Sequence, residues 1–269
     1  MAYHYWTKDE EDYLISNYYS EDKLRLISNL KGRRWGSIIR RAKLLGISRK
    51  IDKRNAISNL LQETPEAYYW VGFLMADGHF SDRQIRLAIS AQDIEHLKKY
   101  KAFINSTNRI SFVYENYVRI HSCDSFVVSH LKSKFAITSN KTYEPCDIQS
   151  IQNKELLFSL IIGFIDGDGC ICKNIHCDAH SISVVGHANW HANHQYMQDF
   201  LYNYFGETNE TKGARIREVM ASLPQNPEKK GPYKRSDFSL HKKALLAKIK
   251  AHAQKLSLPI MERKWGKIT

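Results

Sequence analysis

The chain has 269 residues, 43% of them apolar, enough for one large domain or two smaller ones with real cores and too many for a disordered polymer. Lysine and arginine number 40 against 28 acidic residues, a formal charge of +12, which points to a polyanionic partner whose phosphates basic side chains can neutralise. No stretch approaches the roughly 20 apolar residues that span a bilayer, and five scattered cysteines make no disulfide framework, so a protein held in place by either is excluded.

The opening, MAYHYWTKDEEDY, lacks the basic-then-apolar layout of a signal peptide, and an intracellular, reducing compartment (cytoplasm, nucleoid or organelle) is expected. Residues 1–47 read as three short helices. Thr7 followed by Glu10 is a capping-box pattern, and Asp9, Glu10, Glu11 and Asp12 suit a helix N-terminus. Leu24, Leu26, Ile27 and Leu30 predict a second helix beginning near Ser20, and a third runs from Arg33 to Leu45 with Gly46 as its stop. From Lys31 to Arg54 ten basic residues (31, 33, 34, 40, 41, 43, 49, 50, 53 and 54) face Asp52 alone. With Trp6, Glu11, Leu14, Trp35 and the ending RRAKLLGISR, this segment resembles the Myb/SANT-like helix-turn-helix family. The resemblance implies that the third helix enters a major groove, where Arg33, Arg34, Ser37, Arg40 and Arg41 would face DNA. Residues 48–64 are polar, end before Pro65 and read as a linker.

The remainder contains a repeat, 65–150 and 151–269. Val71-Gly72-Phe73-Leu74-Met75-Ala76-Asp77-Gly78 aligns with Ile162-Gly163-Phe164-Ile165-Asp166-Gly167-Asp168-Gly169 at one offset, the 91 residues from Asp77 to Asp168. The first copy continues with alternation at Gln84–Ser90, a helix near Asp93–Ile104, alternation at Arg109–Tyr114 and Tyr117–Ser122, a helix at Ser125–Phe135, and then Lys141. The second continues with alternation at Ser181–Val185, a helix near Trp190–Phe205, alternation at Arg215–Val219 and Tyr233–Phe238, a helix at Lys242–Leu256, and then Lys264. An extra loop near Ser222–Gly231 interrupts the second copy. The fold class is therefore α+β, two αββαββα repeats plus a small all-α N-terminal domain.

Small residues four apart, Gly72 with Ala76 and Gly163 with Gly167, allow two helices to pack backbone against backbone. Such packing brings Asp77 and Asp168 to one end of the interface, where carboxylates repel each other and sit at negative helix termini. A divalent cation between them removes the cost, and hard oxygen ligands with room for water suit Mg²⁺.

Both segments, WVGFLMADG (70–78) and IIGFIDGDG (161–169), resemble the LAGLIDADG motif of homing endonucleases in the single-chain, two-motif form, and the resemblance covers roughly 65–269. It implies a pseudo-twofold core whose two sheets form a saddle over a long, near-asymmetric duplex DNA site, read by a monomer. It implies that Asp77 and Asp168 bind the metal, assisted by the carbonyls of Ala76 and Gly167, with Mn²⁺ or Ca²⁺ able to replace Mg²⁺ for binding. It also places a basic residue near each centre: Lys141 in the first copy, and Lys264 in the second with Arg263 as its rival. Met75 departs from the motif where Asp166 keeps it. The implied activity is site-specific double-strand cleavage leaving short 3′ overhangs, as in mobile genetic elements.

Along the predicted strands Ile85, Leu87 and Ile89 point to the helices, leaving Gln84, Arg86, Ala88 and Ser90 for DNA. The same alternation nominates Arg109, Arg119, Arg215, Arg217 and Arg235, with Arg suited to guanine edges or to phosphates. Cys170, Cys172, His176, Cys177, His180, His187, His191 and His194 are metal-site residue types, but their spacing matches no zinc pattern. Two other functions fit the same fold, an RNA-binding intron maturase and a non-cleaving DNA-binding regulator. With no Cys start and no His-Asn end, an intein is not expected.

Overall fold

The computed structural model describes residues 5–18, 23–30, 32–47, 57–113, 116–174, 179–208 and 235–268. The chain divides into two compact units, Met1–Lys53 and Arg54–Thr269. No helix among the described residues is long and apolar enough to cross a membrane.

In the first unit, helices α1 (Lys8–Asn17), α2 (Lys23–Asn29) and α3 (Trp35–Leu44) enclose a small core of Leu14, Tyr18, Leu26, Leu30, Ile38 and Ala42. The capping box forms: Glu10 N–H donates to Thr7 Oγ1 at 3.3 Å, and Thr7 N–H donates to Glu10 Oε2 at 2.9 Å. Gly46 ends the third helix at φ +72°, a conformation that favours glycine.

The second unit begins with α4 (Pro65–Asp77), β1 (Gly78–Phe80), β2 (Gln84–Ser90), α5 (Ile94–Phe103), β3 (Ser111–Val113), β4 (Tyr117–Cys123) and α6 (Ser125–Phe135). It continues with α7 (Lys154–Asp168), β5 (Gly169–Asn174), β6 (Ala179–His187), α8 (His191–Tyr204), β7 (Arg235–Leu240), α9 (Lys243–Lys255) and α10 (Glu262–Trp265). The strands form two antiparallel sheets, ordered β1-β2-β4-β3 and β5-β6-β7. In the first, Arg86 pairs with His121 and Leu87 with Ile120; in the second, Val184 pairs with Gly169 and with Phe238. Alternation along the sequence does not reveal β1 or β5, which start directly after each aspartate. The strand predicted at Arg215–Val219 lies outside the described residues.

One expected boundary is corrected. Residues 57–64 are not linker, because Ile57 and Leu60 are buried in the core and Asn59 Nδ2 donates to Phe103 O at 2.5 Å.

Helices α4 and α7 form the centre. Thr64 caps the first, its Oγ1 accepting from Ala67 N–H at 3.3 Å, with Pro65 in the first turn; Asn153 caps the second. Apolar side chains surround both helices, so each is buried on all sides, with every residue from Ala67 to Ala76 inaccessible. Their backbones touch. A Cβ added to Gly72 would lie 1.9 Å from Leu160 O, and one added to Gly163 would lie 1.9 Å from Tyr69 O. These two contacts are reciprocal at the offset of the sequence repeat. Each helix ends on its aspartate because the next residue, Gly78 or Gly169, adopts extended dihedrals and opens a strand.

Neither backbone can retreat without separating the two halves. Gly72→Ala and Gly163→Ala should each destabilise the protein by about 3 kcal/mol or more through overpacking. Gly36→Ala, with open space around its Cβ position, should not. Urea denaturation of the three variants checks this, and an unchanged midpoint for Gly72→Ala would refute the backbone contact.

Candidate active site

Asp77 and Asp168 end the packed helices, and both side chains reach solvent at the rim. Protein atoms crowd the two carboxyls nonetheless. Desolvation first, then repulsion from Asp168, pushes Asp77 up to about 6, against the pull of Lys264 and Lys141. Asp168 is raised as well, by desolvation, with the same two lysines opposing. Two carboxylates close enough to repel make a place of strongly negative potential.

The lysines sit on the same turn of each helix. Lys141 Nζ donates to Met75 O at 2.8 Å and to Ala76 O. Lys264 Nζ donates to Gly167 O at 3.0 Å, to Gly169 O at 2.7 Å and to Asp166 O. Met75 and Ala76 align with Asp166 and Gly167 in the repeat, so the two ammonium groups occupy matching places. Positive charge at a helix C-terminus, on carbonyls left without intrahelical partners, is favourable. Both lysines are half-buried, and desolvation lowers their proton affinity while Asp77, with Asp168 at Lys141 and Asp166 at Lys264, raises it. Of the two rivals, Arg263 is turned away: its Nε and Nη2 donate to the Asp93 carboxylate at 2.7 Å each. A cavity of about 220 Å³ opens beside Lys141 and Asp168, lined also by Thr142, His187 and Trp190.

Asp166 is a site residue that motif reading leaves without a role. It is fully buried, and burial raises its pKa despite three donors. Tyr69 O–H donates to Oδ2 at 2.6 Å, Met261 N–H to Oδ2 at 2.9 Å, and Trp265 Nε1–H to Oδ1 at 2.6 Å. Because Tyr69 gives its proton to Asp166, His96 Nε2 must donate to the tyrosine oxygen, at 3.2 Å. The one signal in the sequence is an acid inside an otherwise apolar helix.

The loop carrying Lys141 is pinned through its carbonyls. Trp190 Nε1 donates to Lys141 O at 2.9 Å, Asn189 Nδ2 to Tyr143 O at 2.7 Å, and Asn193 Nδ2 to Cys146 O at 2.7 Å. No motif marks these three residues.

The strands divide as alternation predicts. Ile85, Leu87, Ile89, Val118 and Ile120 are buried against helices, while Gln84, Arg86, Arg119 and His121 share the opposite face. Arg86 pairs with His121, and Arg119 with Ala88 and Ser111. Burial and then the positive charge of Arg119 and Arg86 lower the His121 pKa. Arg109 is exposed just before β3. Arg215 and Arg217 lie outside the described residues, as does the side chain of Arg235. On the second sheet the outward residues described include Cys170, Cys172, Ser181 and Ser183.

In the first unit Arg34 and Arg40 are exposed, and Ser37 and Arg41 are half-buried, with Arg41 also paired to Glu11. Arg33 is corrected. It is 7% exposed, donates from Nε and Nη2 to Glu10 at 2.9 and 2.6 Å, and stacks over Trp6, so its charge is used inside the unit.

The histidines and cysteines considered for a metal separate. Cys170 and Cys172 face outward with sulfurs 3.3 Å apart, His180 points into the core, and buried His194 Nδ1 meets Ser236 Oγ at 2.9 Å. His176 and Cys177 lie outside the described residues.

No family model matches the chain, and no curated protein matches it. Among solved structures it is similar to the LAGLIDADG homing endonuclease I-GzeII in complex with its DNA target, at 14% identity over 77% of this chain and 89% of that one, TM-score 0.44. It is also similar to the LAGLIDADG meganuclease I-CpaMI bound to uncleaved DNA, at 12% identity over 73% and 86% of the two chains, TM-score 0.44. A third is I-SmaMI bound to an uncleaved DNA target in the presence of calcium ions, at 12% identity over 77% and 90%, TM-score 0.45. Likeness of this degree is one of outline.

Asp166→Asn brings an amide N–H₂ against donors that require an acceptor, and should lower stability by about 2–3 kcal/mol. Chemical denaturation measures it; a variant as stable as the wild type would mean that the three donors do not need the charge.

Proposed function

We propose that this chain is a site-specific, metal-dependent double-strand DNA endonuclease of the LAGLIDADG homing type. One observation carries the reading: two carboxylates meet at the ends of packed helices, each helix bearing a lysine on the matching last-turn carbonyls. The reciprocal glycine contacts support a pseudo-twofold axis between α4 and α7, and the two sheets flanking it would form a saddle for a long duplex site. The three-helix unit would act as a Myb-like helix-turn-helix domain that adds contacts at one end, through Arg34, Ser37, Arg40 and Arg41. A monomer supplies both halves of the site.

The donor set fits a hard divalent cation such as Mg²⁺, since two carboxylates that repel each other, Asp77 and Asp168, meet at the helix ends. These carboxylates would hold it, while the carbonyls of Ala76 and Gly167, expected to assist, already accept from Lys141 and Lys264. When bound, such an ion lowers the pKa of water and stabilises charge at a scissile phosphate. The chain's own residues do the rest. Lys141 and Lys264 would each keep a proton at Nζ near the paired carboxylates, where it stabilises negative charge growing on the phosphate oxygens. Arg86, Arg119, Arg109 and Gln84 would hold the duplex, some on bases and others on phosphates. A non-cleaving regulator gains nothing from two repelling carboxylates, which weighs against that alternative.

Digestion of a randomised duplex library in Mg²⁺, with the ends sequenced, tests the activity and should return one long site with short 3′ overhangs. On that site Asp77→Asn and Asp168→Asn should each abolish double-strand cleavage while binding stays intact or tightens, because a repulsive charge is gone. Lys141→Met and Lys264→Met should slow cleavage by roughly 10²-fold with little change in affinity. Full cutting by either aspartate variant would remove the paired site.

Deleting residues 1–54 removes several phosphate contacts at once. The salt dependence of binding should flatten, and the protected footprint should shorten at one end only, with central cutting retained at excess protein. An unchanged footprint and salt slope would mean that the basic helix is only a solvated face.

A further inference from the structure

Each active-site lysine sits on a carbonyl of its own half, but the segment carrying it is also tied to the other half. The Lys141 segment follows α6, in the first half of the core. Its backbone carbonyls at Lys141, Tyr143 and Cys146 accept from Trp190, Asn189 and Asn193, all from the junction of β6 with α8 in the second half. The Lys264 segment closes the second half. There Arg263 grips Asp93, which sits in the turn joining β2 to α5 in the first half, and Lys99 of α5 reaches Glu262 at 3.2 Å. The two junctions are the same structural place in the two halves, strand to short turn to helix. The anchors therefore cross.

The anchoring bonds are good positioning devices. Arg263 and Asp93 form a two-point pair that fixes distance and orientation together, with Asp93 nearly inaccessible. Trp190 is buried and stacked on Phe164 at 5.2 Å, so its N–H direction is fixed by packing before it meets Lys141 O. Asp166 of α7 holds Met261 and Trp265 on either side of Lys264 from within the same half, and only Tyr69 of α4, donating to that carboxyl, links this hold to the other half.

We infer that Arg263 with Asp93, and Trp190 with its two asparagine neighbours, are positioning residues that help to set Lys264 and Lys141 respectively, each lysine reaching its full alignment only while the opposite half is docked. This rests on the nuclease reading above. Its consequence is that the two strand cuts are coupled through the protein: parting the halves misaligns both lysines together, whereas breaking one anchor misaligns one.

The test uses the full chain with Arg263→Gln and Trp190→Phe, which remove the anchoring donors while keeping a polar chain and an aromatic ring respectively, on a cleavable duplex labelled separately on each strand. Lys264→Met and Lys141→Met identify which strand each lysine serves. Arg263→Gln should slow the Lys264 strand about tenfold or more, the scale of a small misplacement, and leave the other strand within about twofold. Trp190→Phe should do the reverse. Amide hydrogen exchange provides a readout that needs no cutting: Arg263→Gln should expose 261–266 alone and Trp190→Phe 141–146 alone, with α4 and α7 protected as before. Equal slowing of both strands, an unchanged strand ratio, or loss of protection spread over both segments would overturn the crossed anchors. If the wild type cuts no duplex in Mg²⁺, the nuclease reading falls, and the exchange pattern still decides whether the anchors cross.

Discussion

Two helix backbones lie directly against each other in this protein, at Gly72 against Leu160 and at Gly163 against Tyr69, and the rest of the core depends on it. Helices carrying larger residues at those positions would stand farther apart. With them in contact, the last turns of α4 and α7 come side by side, and whatever residue ends one helix faces its counterpart on the other. The sheets follow without slack, since Gly78 and Gly169 open a strand one residue beyond each aspartate.

That geometry sets an electrostatic conflict against a hydrophobic background. A rod with no polar face supplies burial on all sides, while its end collects two carboxylates whose protons are held more tightly than in water. Two lysines, themselves partly desolvated, offset the negative charge without neutralising it by direct pairing, because their hydrogen bonds go to backbone carbonyls instead. The carboxyl oxygens are thus left available to a cation. A direct lysine–aspartate pair would have used them.

The two ends of the rod are alike in plan and different in detail. Met75 packs as an apolar residue where Asp166 gathers three donors, so the Lys264 segment rests on a buried carboxyl of its own half, whereas the Lys141 segment is held through carbonyls that accept from the other half. Breaking either arrangement would leave buried polar groups unpaired, which costs more than a hydrogen bond is worth when made. The difference gives the two lysines distinct surroundings.

Much of this was determined by the sequence alone. Period-two alternation placed Ile85, Leu87 and Ile89 inward, and the Thr7–Glu10 spacing specified a cap, because both depend only on near neighbours along the chain. The repeated Gly-Phe and Asp-Gly pairs identified the central helices, since small residues four apart have a geometric meaning wherever they fall. Tertiary structure decided the rest. Whether Arg263 or Lys264 faces the site depended on Asp93, 170 positions away in the chain. Likewise Arg33 looked like any other residue of a basic run until Glu10 and Trp6 enclosed it, and residues 57–64 looked like linker until Ile57 found the core. Charge and polarity are properties of a residue, but the partner that uses them is chosen by packing, and packing between distant segments leaves no local pattern to read.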